Sequence, residues 1–106
     1  MELGVVIGTL VATIKDPALI GTLLLLVQPI THLGAKRGNP LVVVDPDRNA
    51  GPGDVIVFVY SPDASMAFSG DIWAPVDAAV VAIVNHVDIG KTVTIRAGQE
   101  WEHLWK

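Results

Sequence analysis

The run Pro75-Val76-Asp77-Ala78-Ala79-Val80-Val81-Ala82-Ile83-Val84-Asn85-His86-Val87 is apolar on nearly every side, so it has to be buried over most of its surface. It opens with helix-start chemistry. A proline at the first helical position forfeits no hydrogen bond, and Asp77 sets a carboxylate beside the free N–H groups and the positive end of the dipole. On that ground the segment reads as a short buried helix. Its β-branched residues Val80, Val81, Ile83 and Val84 also permit a strand, and periodicity alone does not separate the two.

The chain has 106 residues, 51% of them apolar and only 17% charged, which describes one compact domain. A domain this small has too much surface for its volume to hide so many apolar side chains alone. Part of that surface is therefore expected to meet another subunit. The net charge of −4 and the lack of a basic run beyond Lys36-Arg37 argue against a phosphate-binding or nucleic-acid-binding face. With no cysteine, disulfides, thiolate metal sites and cysteine nucleophiles are excluded. Met1-Glu2-Leu3-Gly4 lacks the positive start of a secretory signal, and the run Leu23–Val27 is far too short to span a bilayer. A soluble cytoplasmic chain is expected.

Leu3 to Ile14 reads as a first strand, apolar on both parities as in a strand buried on two sides. Gly4 and Gly8 share a face, where missing side chains allow close approach. Asp16-Pro17 ends it, since proline cannot donate to the ladder. Thr22–Gln28, Leu41–Asp45 and Val55–Tyr60 read as further strands, and Thr92–Arg96 alternates cleanly as a fifth with one solvated face. Thr31–Pro40 and Asn49–Asp54 are glycine-bearing turns, and Ser61–Ala74 is an irregular loop. The expected fold is mainly β: a small five-stranded OB-like barrel capped by one short helix, which closes its own sheet edges. Residues 1–98 form the barrel domain and 99–106 a C-terminal tail.

No catalytic, cofactor or metal site stands out. His86 and Asp88 at i, i+2 have no third ligand nearby, and His86 suits a helix end instead; His32 and His103 have no assignable partner. Asp45-Pro46-Asp47 has acid–base spacing but is the commoner chemistry of a turn. Ser61, Ser65 and Ser69 lack a nucleophile elbow. Asn49–Gly53 has the glycines of an anion cradle without its lysine, and it precedes a strand. Aromatic residues are few, with none interleaved with Lys or Arg along a strand, unlike a single-strand-binding barrel. Trp101 and Trp105, spaced i, i+4, pack on the barrel or contact another subunit.

Three blocks in order resemble the EutN/CcmL family of bacterial microcompartment vertex proteins. They are Gly4–Lys15 continuing to Leu19, Gly21 and Leu23–Val27; the turn Asn49-Ala50-Gly51-Pro52-Gly53-Asp54; and Pro75–Val84. The resemblance covers roughly residues 3 to 96. It implies a β-barrel with a helix at its open end, assembled into homopentamers that close the corners of a shell of hexameric proteins. Gly51, Gly53 and Asp54 match the family's glycine turn, with Asn49 in place of its first glycine. Pro75, Asp77, Ala78 and Ala79 match its Pro-(Val/Ile)-Asp-Ala motif. Tyr60–Ser65 departs from the family's Gly-Ser-Ser-Ala-Arg and lacks its basic residue.

The function so implied is structural: a cytoplasmic shell subunit with no cofactor, catalysis, nucleic acid or membrane. A ligand-binding OB-like barrel, for a small molecule or oligosaccharide, is the alternative, and a minor enzyme using Asp45 or Asp47 is the third. For a ring, the expected contact candidates are the Asn49–Asp54 turn and whichever parity of the first strand faces outward.

Overall fold

The computed structural model describes residues 1–11, 17–60 and 78–104. Seven strands follow the chain: β1 (Glu2–Leu10), β2 (Leu23–Ile30), β3 (Leu41–Asp45), β4 (Val55–Tyr60), β5 (Ala78–Val84), β6 (His86–Ile89) and β7 (Thr92–Arg96). The first five close into a barrel in the order β1-β2-β3-β5-β4, and β6 and β7 form a separate two-stranded ribbon. All barrel pairings are antiparallel except β3–β5, a parallel seam made at Val44↔Ala79. Strands β1 and β2 pair from Leu3↔Ile30 to Leu10↔Leu24, with the register shifting at Ile7. Such a bulge adds local twist, which helps a small sheet to close.

One parity of each strand fills the barrel. Val6, Leu25, Val27, Val43, Ile56, Phe58, Ala78 and Val80 form its core, and Ala50 joins them from the turn before β4. Gly4 lies on the same parity as Val6 for a steric reason. A Cβ there would run into Val27 Cγ1 and stand 2.9 Å from Phe58 Cε1, so the missing side chain makes room for the largest core residue. At Gly8 a Cβ would meet nothing. The close approach expected at both glycines is therefore found at Gly4 alone.

The outward parity of β1 is not left free. Val5, Ile30, Val55, Ile95, Trp101 and Leu104 make a second core, with Leu3, Ile7, Val84 and Val87 packed against it. The base of the ribbon and the segment after it thus lie over the outside of the barrel. Trp101 is buried against Gly34, whose φ of +85° turns the β2–β3 connection toward the indole. A one-turn 3₁₀ helix, Glu102–Leu104, presents His103, whose Nε2 donates to the Gly34 carbonyl at 2.7 Å. Trp101 therefore packs on the barrel, the first of the two readings open from sequence; Trp105 lies outside the described residues.

Two expectations are corrected. The segment read as a buried helix over 75–87 is strand β5 at Ala78–Val84 and runs on into β6. Among the described residues the helices are only the 3₁₀ turns Pro17–Leu19 and Glu102–Leu104. Propensity is weak beside tertiary demand: β4 needs a second neighbour for closure, and β-branched Val80, Val81, Ile83 and Val84 suit the pleat. In consequence the fifth barrel strand is β5. Thr92–Arg96 forms the strand expected of it, but pairs with β6 outside the barrel.

Candidate assembly surface

The turns before β4 are built around a buried carboxylate. Asp45, 2% exposed at the end of β3, accepts from Asp47 N–H (3.2 Å) and Arg48 N–H (3.1 Å) through Oδ1, and from Ala50 N–H (2.7 Å) through Oδ2. Arg48 sits at φ 58°, and its guanidinium points to the Gly21 and Thr22 carbonyls at 3.5 and 3.4 Å. Asp45 is thus a turn-organising residue, in line with the turn reading of Asp45-Pro46-Asp47, whereas Asp47 is exposed beside it.

The glycine turn has its own geometry. Gly51 to Asp54 is a type II turn: Pro52 stands at the second position, Gly53 at the third with φ +91°, and Asp54 N–H donates to the Gly51 carbonyl at 3.0 Å. Asp54 Oδ2 accepts from Gly51 N–H at 2.8 Å, so Asp54 closes the turn from both ends. The turn is stitched to β1, where Gly53 N–H donates to Val6 O (2.7 Å) and Val6 N–H donates to Asp54 O (2.9 Å). The N–H groups of Ala50, Gly51, Gly53 and Asp54 are all engaged by protein acceptors, and Pro52 has none to offer. Those four N–H groups are therefore already committed and not free to cradle a phosphate.

Of the remaining motif residues, Ala78 and Ala79 are both buried, with Ala79 opposite Val44 at the parallel seam. Both sit within the packed barrel wall, where β5 meets β3 and β4. Pro75 and Asp77 lie outside the described residues, as do Ser61, Ser65 and Ser69. The histidines stand apart: His86 Nε2 faces Asp88 Oδ2 at 3.2 Å on the exposed face of β6, His32 receives Thr94 Oγ1 at its carbonyl, and His103 serves the tail. Among the described residues, no cluster of three or more His, Cys, Asp or Glu side chains is placed to hold a metal, and no helix is long and apolar enough to cross a membrane.

A feature that residue spacing did not single out is the open edge of β5. Val81, Ala82 and Ile83 are exposed, and with Val80 they line one wall of a groove of about 210 Å³ whose other wall is Asp45, Asp47 and Asn49. The length of the apolar run, longer than β3 can cover, was the available signal.

The family model described as "Ethanolamine utilisation protein EutN/carboxysome" matches residues 1–85, which takes in the whole barrel. The microcompartment shell vertex protein GrpN of Rhodospirillum rubrum (strain F11) is 40% identical over 88 residues, covering 83% of this chain and 97% of GrpN. The carboxysome shell vertex protein CcmL of Nostoc sp. is 38% identical over 92 residues, covering 84% and 87% of the two chains. The solved structure of GrpN from Rhodospirillum rubrum, described as a pentameric microcompartment shell protein, superposes with a TM-score of 0.72 at 38% identity, covering 84% of this chain and 99% of that one. A shared barrel, an engaged glycine turn and identity across the length of these relatives lead to one conclusion: the chain belongs to the EutN/CcmL family.

Proposed function

We propose that this chain is a structural subunit that assembles into homopentamers and closes the vertices of a bacterial microcompartment, beside hexameric shell proteins in the bacterial cytoplasm. The observation that carries the reading is the likeness to pentameric GrpN over nearly all of that chain. Its physical logic is geometric. A flat lattice of hexagonal tiles does not close without fivefold corners, and a ring of identical wedges joined by heterologous contacts supplies one. The barrel interior is occupied by Leu25, Val27, Val43, Ile56 and Phe58, which favours a building block over the ligand-binding alternative.

In this reading no reaction is catalysed. Gly51, Gly53 and Asp54 hold the shape of the turn, and Ala78 and Ala79 the seam. Light scattering after size exclusion at micromolar concentration tests the assembly. The expected mass is five times the 11.2 kDa chain. A monomeric or dimeric mass refutes the vertex role, and a hexamer leaves the fold intact but removes the corner.

A further inference from the structure

We propose that the open edge of β5, together with the Asp47 turn, receives the tip of the β6–β7 ribbon from the next copy of this chain. The inference rests on the ring reading above and assigns its two contact patches.

The first patch is a gap in the barrel wall. Strand β5 has two neighbours, but β3 pairs with it only at Val44↔Ala79 and then turns away at Asp45. Beyond that point no strand among the described residues lies along the far edge of β5, an arrangement that invites pairing with another chain. The register against β4 makes the gap more costly. It runs Phe58↔Val80 and then Val57↔Ala82 and Ile56↔Ile83, so Val81 is the extra residue of a bulge. The bulge shifts the phase by one, and Ile83 shares a face with Ile56, which is fully buried in the barrel core. Residues opposite one another across a strand pair lie on the same face. Ile83 is thus an inward-phased residue, yet it is 42% exposed, and Val81 is 45% exposed. The groove runs along this edge, rimmed by Asp47 and Asn49.

The second patch is the ribbon tip. A two-stranded ribbon is marginal in water unless a third strand or a packed face supports it. The base of this one is supported through Val87 and Ile95. Toward the tip, Ile89 and Val93 are 41% and 42% exposed, and Lys91 beside Gly90 has no ion pair among the described residues. An apolar tip carrying the Lys91 cation complements an apolar groove rimmed by Asp47, a carboxylate with no ion pair among the described residues. The occupant is a second copy because both halves are on the same chain at different places. That is the heterologous arrangement a closed ring requires.

The test is a charge exchange read by mass at graded protein concentration, with circular dichroism reporting the fold. D47K and K91D each put like charges together, and V81K places a charge on the bare edge. Each is expected to raise the concentration needed for the ring by about ten-fold or more, while the spectrum stays that of the parent. The combined D47K/K91D variant is expected to restore assembly to the parent concentration. If the parent is a pentamer and the three single variants assemble as it does, the patches are wrongly assigned and the ring reading stands. Single variants that dissociate without rescue in the combined variant also overturn the pairing. A monomeric parent overturns the ring reading itself.

Discussion

Replacing Asp45 by asparagine changes one atom type in a buried site, and the structure sets the consequence. The carboxylate accepts three backbone N–H groups with two oxygens, one of them from buried Ala50 at 2.7 Å. Asparagine keeps the size and one acceptor oxygen, but its amide nitrogen must then face a backbone donor. If the nitrogen faces Ala50, a buried N–H loses its acceptor; if it faces the other way, the Asp47 N–H loses its acceptor and the Arg48 N–H keeps only the Asp45 backbone carbonyl at 3.4 Å. A hydrogen bond to a charged group contributes about 1.5–3 kcal/mol, and a buried donor left unmatched costs about 1–3 kcal/mol. The surviving bond also loses its charge assistance. Together these give a loss of about 3 kcal/mol for Asp45→Asn, or a melting point lower by roughly 10–20 °C in a domain of this size. Asp47→Asn, at an exposed carboxylate two residues away, should stay within about 0.5 kcal/mol of the parent. Thermal unfolding by far-ultraviolet dichroism, at one fixed protein concentration because assembly is linked to stability, checks both. Equal melting points for Asp45→Asn and the parent would refute the role of Asp45 as the hub of the turn.

Two further pairs of substitutions separate steric causes from compositional ones. Gly4→Ala drives a Cβ into Val27 and Phe58 and should cost about 1–3 kcal/mol in urea unfolding, whereas Gly8→Ala, with open space around it, should be neutral or slightly stabilising. Gly53→Ala should cost about 1–2 kcal/mol because φ is +91° there, while Gly51→Ala, which lacks a positive φ, should change the unfolding midpoint little.

Turn chemistry made much of the architecture legible in the chain. Asp45-Pro46-Asp47 and Asn49–Asp54 punctuate the sequence so firmly that Leu41–Asp45 and Val55–Tyr60 are strands over the very residues read from it, as is Thr92–Arg96. The family was legible for a related reason: its glycine turn is tied to backbone geometry, and Gly53 with its positive φ and Asp54 closing the turn show what that geometry is.

What the local pattern left open was decided by contacts between residues distant in the chain. Val80, Val81, Ile83 and Val84 are apolar in either conformation, so neither a helix nor a strand period distinguishes them. The segment is a strand because β4, about twenty residues earlier, has an unpaired edge that it completes. The same is true of which face of β1 points outward. Both parities are apolar in the sequence, and the choice follows from Phe58 needing the space over Gly4 on one side and Trp101 and Ile95 covering Val5 on the other. Composition determined that this chain has apolar surface to spare. Only the tertiary structure placed the surplus, at a seam where β3 ends before β5 does and Ile83 is left facing water.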